Sequence, residues 1–136
     1  MEINIIEDDM LMNIRSAFRE QYPYLTLRFY LNPHGEGKAC PESERIRQDK
    51  PIEEVTMFHT GGKISIDPDR TVADVEHDFF KTLGLCVQVF RQAGQLWIET
   101  TQTDHWTLQQ QNDEGKALST IRPIETPEDF NLQDIN

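Results

Sequence analysis

The amino-acid sequence predicts an α+β fold, on three observations. Apolar residues alternate at period two over several short segments, the mark of half-buried strands. Two longer segments repeat apolar residues at helical spacing, each giving one apolar stripe. The strand–helix–strand pattern at the start of the chain then recurs in its second half.

The first unit occupies residues 1–32. Ile3 and Ile5 share one face of a short strand. Asp8 or Asp9 is expected to cap the following helix, because a short side-chain oxygen satisfies the free N–H groups of a first turn. Leu11, Ile14, Phe18 and Tyr22 form the helical stripe, and Pro23 ends it. Leu25, Leu27, Phe29 and Leu31 then alternate with Tyr24, Thr26, Arg28 and Tyr30, a strand with two distinct faces. Residues 33–50 are polar, contain Pro33, Gly35, Gly37 and Pro41, and exceed the usual length of a connection inside a compact domain.

The second unit with its preceding strand covers residues 51–92. Ile52 to Phe58 reads as a strand that turns through Thr60-Gly61-Gly62 into another carrying Ile64 and Ile66. Thr71 can cap the next helix, with Asp74 three residues on. Val72, Val75, Phe79 and Leu83 make its stripe, and Gly84 suits the left-handed position past its end. Leu85, Val87 and Val89 alternate with Cys86, Gln88 and Phe90. Residues 93–115 supply a tight turn at Ala93-Gly94, a hairpin strand with Leu96 and Ile98 inward, and a short helix opened by Thr107 and Gln110 and closed by Gly115. An acidic tail, 116–136, holds a further strand signal around Ser119–Arg122.

Sliding the first unit until Ile3 falls on Ile64 also brings Ile5, Leu11, Ile14, Phe18 and Tyr22 onto Ile66, Val72, Val75, Phe79 and Leu83. With Pro23 skipped, Leu25, Leu27, Phe29 and Tyr30 fall on Leu85, Val87, Val89 and Phe90. Two such units with their helices on one side point to a ferredoxin-like two-layer sandwich with extra antiparallel strands, in one domain spanning 1–136. The alternative is a β-grasp-like core over 52–101, which leaves the repeat unexplained.

Composition narrows the partners. The chain carries 24 acidic and 13 basic side chains, a formal net charge of -11. That excess repels a phosphate backbone and an anionic membrane surface alike, so neither nucleic acid nor membrane is an expected partner. No apolar run approaches the ~20 residues needed to span a bilayer. Met1-Glu2-Ile3-Asn4 lacks the basic start of a signal peptide, and Cys40 and Cys86 are too few for a disulfide framework. A cytoplasmic setting is the expectation.

Three polar groupings hold side chains capable of chemistry. His34, Lys38 and Cys40, with His59, could activate a thiol if an imidazole or ammonium stood beside it, but the spacing does not require this. Asp74, His77 and Asp78 stand one helical turn apart and could converge on a metal, yet they lie opposite the apolar stripe, where a solvated face is expected. Asp104-His105-Trp106-Thr107 reads as a helix start anchored by its Trp. No catalytic residue and no cofactor is expected.

The most informative feature is the sheet face turned away from the helices, which gathers Tyr24, Tyr30, Phe90 and Trp97 with Arg28 and Glu99. Aromatic surface of that extent marks an interface or is covered from within. It suggests a non-enzymatic protein–protein interaction module or accessory subunit, working through the sheet face or an edge strand on a partner protein or as a homodimer. A small metal- or thiol-dependent enzyme using the 33–50 loop, and an acidic mimic of DNA, are the alternatives.

Overall fold

The computed structural model describes residues 1–32, 40–56 and 61–121. In chain order the elements are β1 (Glu2–Ile5), α1 (Leu11–Gln21), β2 (Leu25–Tyr30), β3 (Arg45–Ile46), α2 (Ile52–Val55), β4 (Gly62–Ser65), α3 (Val72–Leu83), β5 (Cys86–Ala93), β6 (Leu96–Glu99) and α4 (Leu108–Ile121). The fold is α+β, with all strand pairs antiparallel.

The strands do not join in the single sheet of a ferredoxin-like sandwich. β1 and β4 form a two-stranded ribbon, while the other four make a sheet in the order β3-β2-β5-β6. The β-grasp alternative also fails, because its first strand is helical: Ile52–Val55 is α2, entered through Pro51 with Glu53 and Glu54 in its first turn. Pro suits a helix start, and acidic groups there oppose the positive end of the helix dipole.

One buried cluster runs from Ile3 through both helical stripes to Leu108. Leu11, Ile14 and Phe18 of α1 and Val72, Val75, Phe79 and Leu83 of α3 are buried, as the stripes predict. Thr71 accepts from the Asp74 N–H at 3.1 Å, and Gly84 takes φ 69° at the far end. The α1 cap differs from expectation. Asp9 accepts from Ile6 N–H instead, and the remote Asp49 carboxylate accepts from Met12 N–H at 2.9 Å. Leu31 and Leu96, expected inward, are exposed because each lies where its strand leaves the packed part of the sheet.

The repeat is longer than the sequence suggested. Leu11 N–H donates to Lys50 O and Ile52 N–H to Asp9 O in the first half; Val72 N–H donates to Trp106 O and Leu108 N–H to Arg70 O in the second. The lone bridges Met10–Pro51 and Thr71–Thr107 occupy matching places. Each half is therefore strand–helix–strand–strand–helix, with α2 the counterpart of the start of α4. The registers supply the symmetry relating them. Ile3 pairs with Ile64 and Arg28 with Gln88. In each case a residue faces its own counterpart, as antiparallel strands do where a two-fold axis passes between them.

Gly115 does not close α4; the helix runs through it. A Cβ there would lie 2.9 Å from Tyr24 Cβ and 3.2 Å from Arg91 Cγ, so the missing side chain lets α4 press onto the sheet. Thr107 and Gln110 form the expected capping box, with bonds of 3.1 and 2.9 Å. Gly115→Ala is expected to destabilise by about 1–3 kcal/mol through overpacking, although alanine favours a helix by about 1 kcal/mol. Urea denaturation checks it, and a stabilised variant would contradict the close approach.

Candidate functional site at the sheet face and the outer edge of the sheet

Cross-strand partners point to the same side of a sheet. Leu25, Leu27, Phe29, Val87 and Val89 face the core, so Arg28, Tyr30, Gln88, Phe90, Trp97 and Glu99 share the other face. Of the residues grouped from the sequence, these share a face while Tyr24 lies against α4, and the face is not an open aromatic platform. Tyr30 and Phe90 are 2% and 6% exposed. Tyr30 packs with Cys40 and Cys86, and burial pushes its hydroxyl up to about 12. The Arg28 guanidinium lies 4.0 Å from the centroid of the Phe90 ring. Arg19, reaching from α1, sits 5.1 Å from the centroid of Trp97. Tyr24 is half-buried under α4, its N–H bonded to Asn112 Oδ1 at 2.9 Å. Glu99, opposite Phe90, is exposed.

The other groupings do not assemble within the described residues. His34, Lys38 and His59 lie outside them, as does the tail beyond Ile121. Cys40 is buried, and burial pushes its thiol up to about 12, away from the thiolate a nucleophile needs. Cys86 follows to about 11 for the same reason. Asp78 is engaged by Arg70 at 2.6 Å, and Asp74 belongs to the first turn of α3. Among the described residues no three His, Cys, Asp or Glu side chains come close enough to hold a metal, and no helix is long and apolar enough to cross a membrane.

A feature missed in the sequence lies at the outer edge of β2. β5 runs along one side of all of β2, while β3 pairs only with Phe29 and Tyr30 on the other, so among the described residues no strand lies on that outer side of Leu25–Arg28. There a groove of about 680 Å³ opens between α1 and residues 46–49. Arg15, Arg19 and Arg47 line it, with Glu20 and Asp49 as its acids. Arg15 Nε donates to Leu27 O at 3.0 Å, so a side chain holds part of the bonding capacity a strand would use. Among the described residues Arg19 has no carboxylate partner, and its buried Nε has no acceptor. Asp49 is committed to the α1 terminus and Arg47 to Glu42 at 2.9 Å. A concentration of arginine in a chain of net charge -11 was the available signal, since Arg15 and Arg19 stand four apart on one helical face.

Comparison with protein-family models, with curated proteins and with solved structures finds no match.

Proposed function

We propose that the chain is a non-enzymatic protein-interaction module that receives an extended acidic segment of a partner protein along the outer edge of β2. The observation that carries this reading is the coincidence of the unaccompanied Leu25–Arg28 edge with the arginine-lined groove beside it. Leu25 N–H is taken by Tyr22 O and Leu27 O by Arg15, so this edge offers an incoming strand Leu25 O and Leu27 N–H, and the neighbouring groove reads its alternate side chains. Arg15, Arg19 and Arg47 select acidic residues at those positions. A second copy of the chain is a poorer occupant, because two such edges brought together would oppose arginine to arginine.

The test is a titration with an alternating Glu/Val peptide with blocked ends, followed by backbone amide chemical shifts. Saturable shifts are expected at Leu25–Phe29 and along α1, lost when the peptide backbone is N-methylated. Arg19→Glu is expected to weaken binding at least tenfold while leaving the melting temperature close to that of the parent. Shifts confined to other strands, or binding indifferent to Arg19→Glu, would remove the basis for the proposal.

A further inference from the structure

The described face of the sheet holds a second feature, independent of the edge groove. Arg28 and Gln88 are direct partners on β2 and β5, with both side chains on the face away from the core. Tyr24 O accepts from Gln92 N–H, and Arg28–Gln88 falls in the same alternation of the ladder. It is therefore a hydrogen-bonded pair, for which the Cα atoms stand about 5.5 Å apart.

Both side chains carry donors that the fold leaves unused. Gln88 is fully buried. Its Oε1 accepts from Cys40 N–H at 3.1 Å, which fixes the orientation of the amide, because a flipped amide would set donor against donor. Among the described residues its Nε2 has no acceptor. Arg28 is partly exposed and stacked on Phe90, and among the described residues it makes neither a hydrogen bond nor an ion pair. The next cation on this face, Arg45, is already paired with Glu42 at 3.2 Å. An unpaired guanidinium in a chain with 24 acids, beside a buried amide lacking an acceptor, marks a place built for an acceptor that the described chain does not supply.

We infer that Arg28 and Gln88 form a binding site for a carboxylate, with Arg28 at the rim and Gln88 Nε2 at the floor. The charge favours a carboxylate over a phosphate. One free guanidinium balances a single negative charge, while Glu42, Glu44 and Glu99 nearby oppose a dianion. The shape agrees, since two coplanar oxygens match the fork of a guanidinium, and stacking on Phe90 holds that fork in a defined plane. The carboxylate belongs either to a small organic acid or to a Glu or Asp side chain of a protein.

Side-chain amide and guanidinium resonances of the intact chain read the site directly during titration with sodium benzoate at constant ionic strength, with sodium chloride as control. Saturable movement of the Gln88 Nε2 and Arg28 Nε signals is expected with benzoate and not with chloride. Arg28→Gln should abolish it. Arg28→Lys should weaken it about tenfold, because an ammonium keeps the charge but loses the planar fork. These variants alter a partly exposed side chain, and a preserved amide spectrum shows that the fold is intact. A blocked peptide containing one Glu, compared with its Gln version, forms the second arm. Binding of benzoate alone assigns a small acid, and Glu-dependent binding of the peptide alone assigns a protein side chain. If neither moves the Gln88 signals, or if chloride moves them equally, the site does not exist.

Discussion

Phe79→Ala is expected to cost about 3–5 kcal/mol of stability, the range for deleting a fully buried aromatic ring. Phe79 has no exposure and sits in the middle of the α3 stripe, within the one core cluster that both halves share. Phe18 occupies the matching place on α1 and is also fully buried. Phe18→Ala is therefore expected to cost a similar amount, and the two variants together should unfold the chain. Denaturant titration of each variant measures this. A loss under 1 kcal/mol at either position would show that its half does not share the common core, and the symmetry of the packing would then fail with it.

The second large effect is a pH dependence. Glu76 lies on the core side of α3, and its Oε2 accepts from Val89 N–H at 2.8 Å, just where β6 stops pairing with β5. The Thr100 hydroxyl donates to Val89 O at 2.9 Å, so side chains complete the ladder at this position. Burial is the main cause that pushes the Glu76 carboxyl up to about 8 from 4.5; the Val89 bond opposes it and the Asp104 charge reinforces it. A carboxyl that holds its proton more tightly when folded makes stability fall as pH rises from the unfolded value to the folded one. The decline is therefore expected between about pH 4.5 and pH 8, at up to about 1.4 kcal/mol for each pH unit crossed. Above that window the carboxyl is ionised in both states and the loss is complete. Glu76→Gln keeps an acceptor for Val89 N–H without the titration, so its stability should stay level across the window and exceed the parent's at pH 8 by roughly 4 kcal/mol. A parent curve that rises through the window, or a Gln variant less stable at pH 8, would refute this.

Much of the local structure was legible in the sequence because it depends on neighbours along the chain. The stripes of α1 and α3, the Thr71 and Thr107 caps, the left-handed Gly84 and the hairpin at Gly94 all follow from residues within a few positions of one another. Strand pairing was not legible. Alternation says which residues share a face, but not that Ile3 pairs with Ile64 in a ribbon apart from the main sheet. The last element of the repeat was hidden because α2 has four residues and shares with α4 only the apolar anchor, Ile52 against Leu108. Gly115 read as a stop because a glycine inside a helix usually weakens it, and the close approach to Tyr24 that requires it joins residues far apart in sequence.

The candidate site divides along the same line. Period two placed Arg28, Tyr30, Phe90, Trp97 and Glu99 on one face. It could not tell that Tyr30 and Phe90 would be buried there, because burial depends on Cys40, ten residues beyond Tyr30, and on the Arg28 side chain folded over the Phe90 ring. The groove was illegible because α1, the start of β2 and residues 46–49 contribute to it, and none has an unusual pattern alone.

The pairing of Arg28 with Gln88 bears on how the chain assembles. At an axis, each residue meets whatever the other half carries at the same place. Two first halves from neighbouring chains would set arginine against arginine across the strands, and like charges directly opposite one another are destabilising. The Ile3–Ile64 pair imposes no such penalty, since isoleucine tolerates its own kind. One charged position thus biases the first half, which leaves the ribosome first, against exchange with the same segment of another molecule. Its better complement is the half that follows it in the same chain.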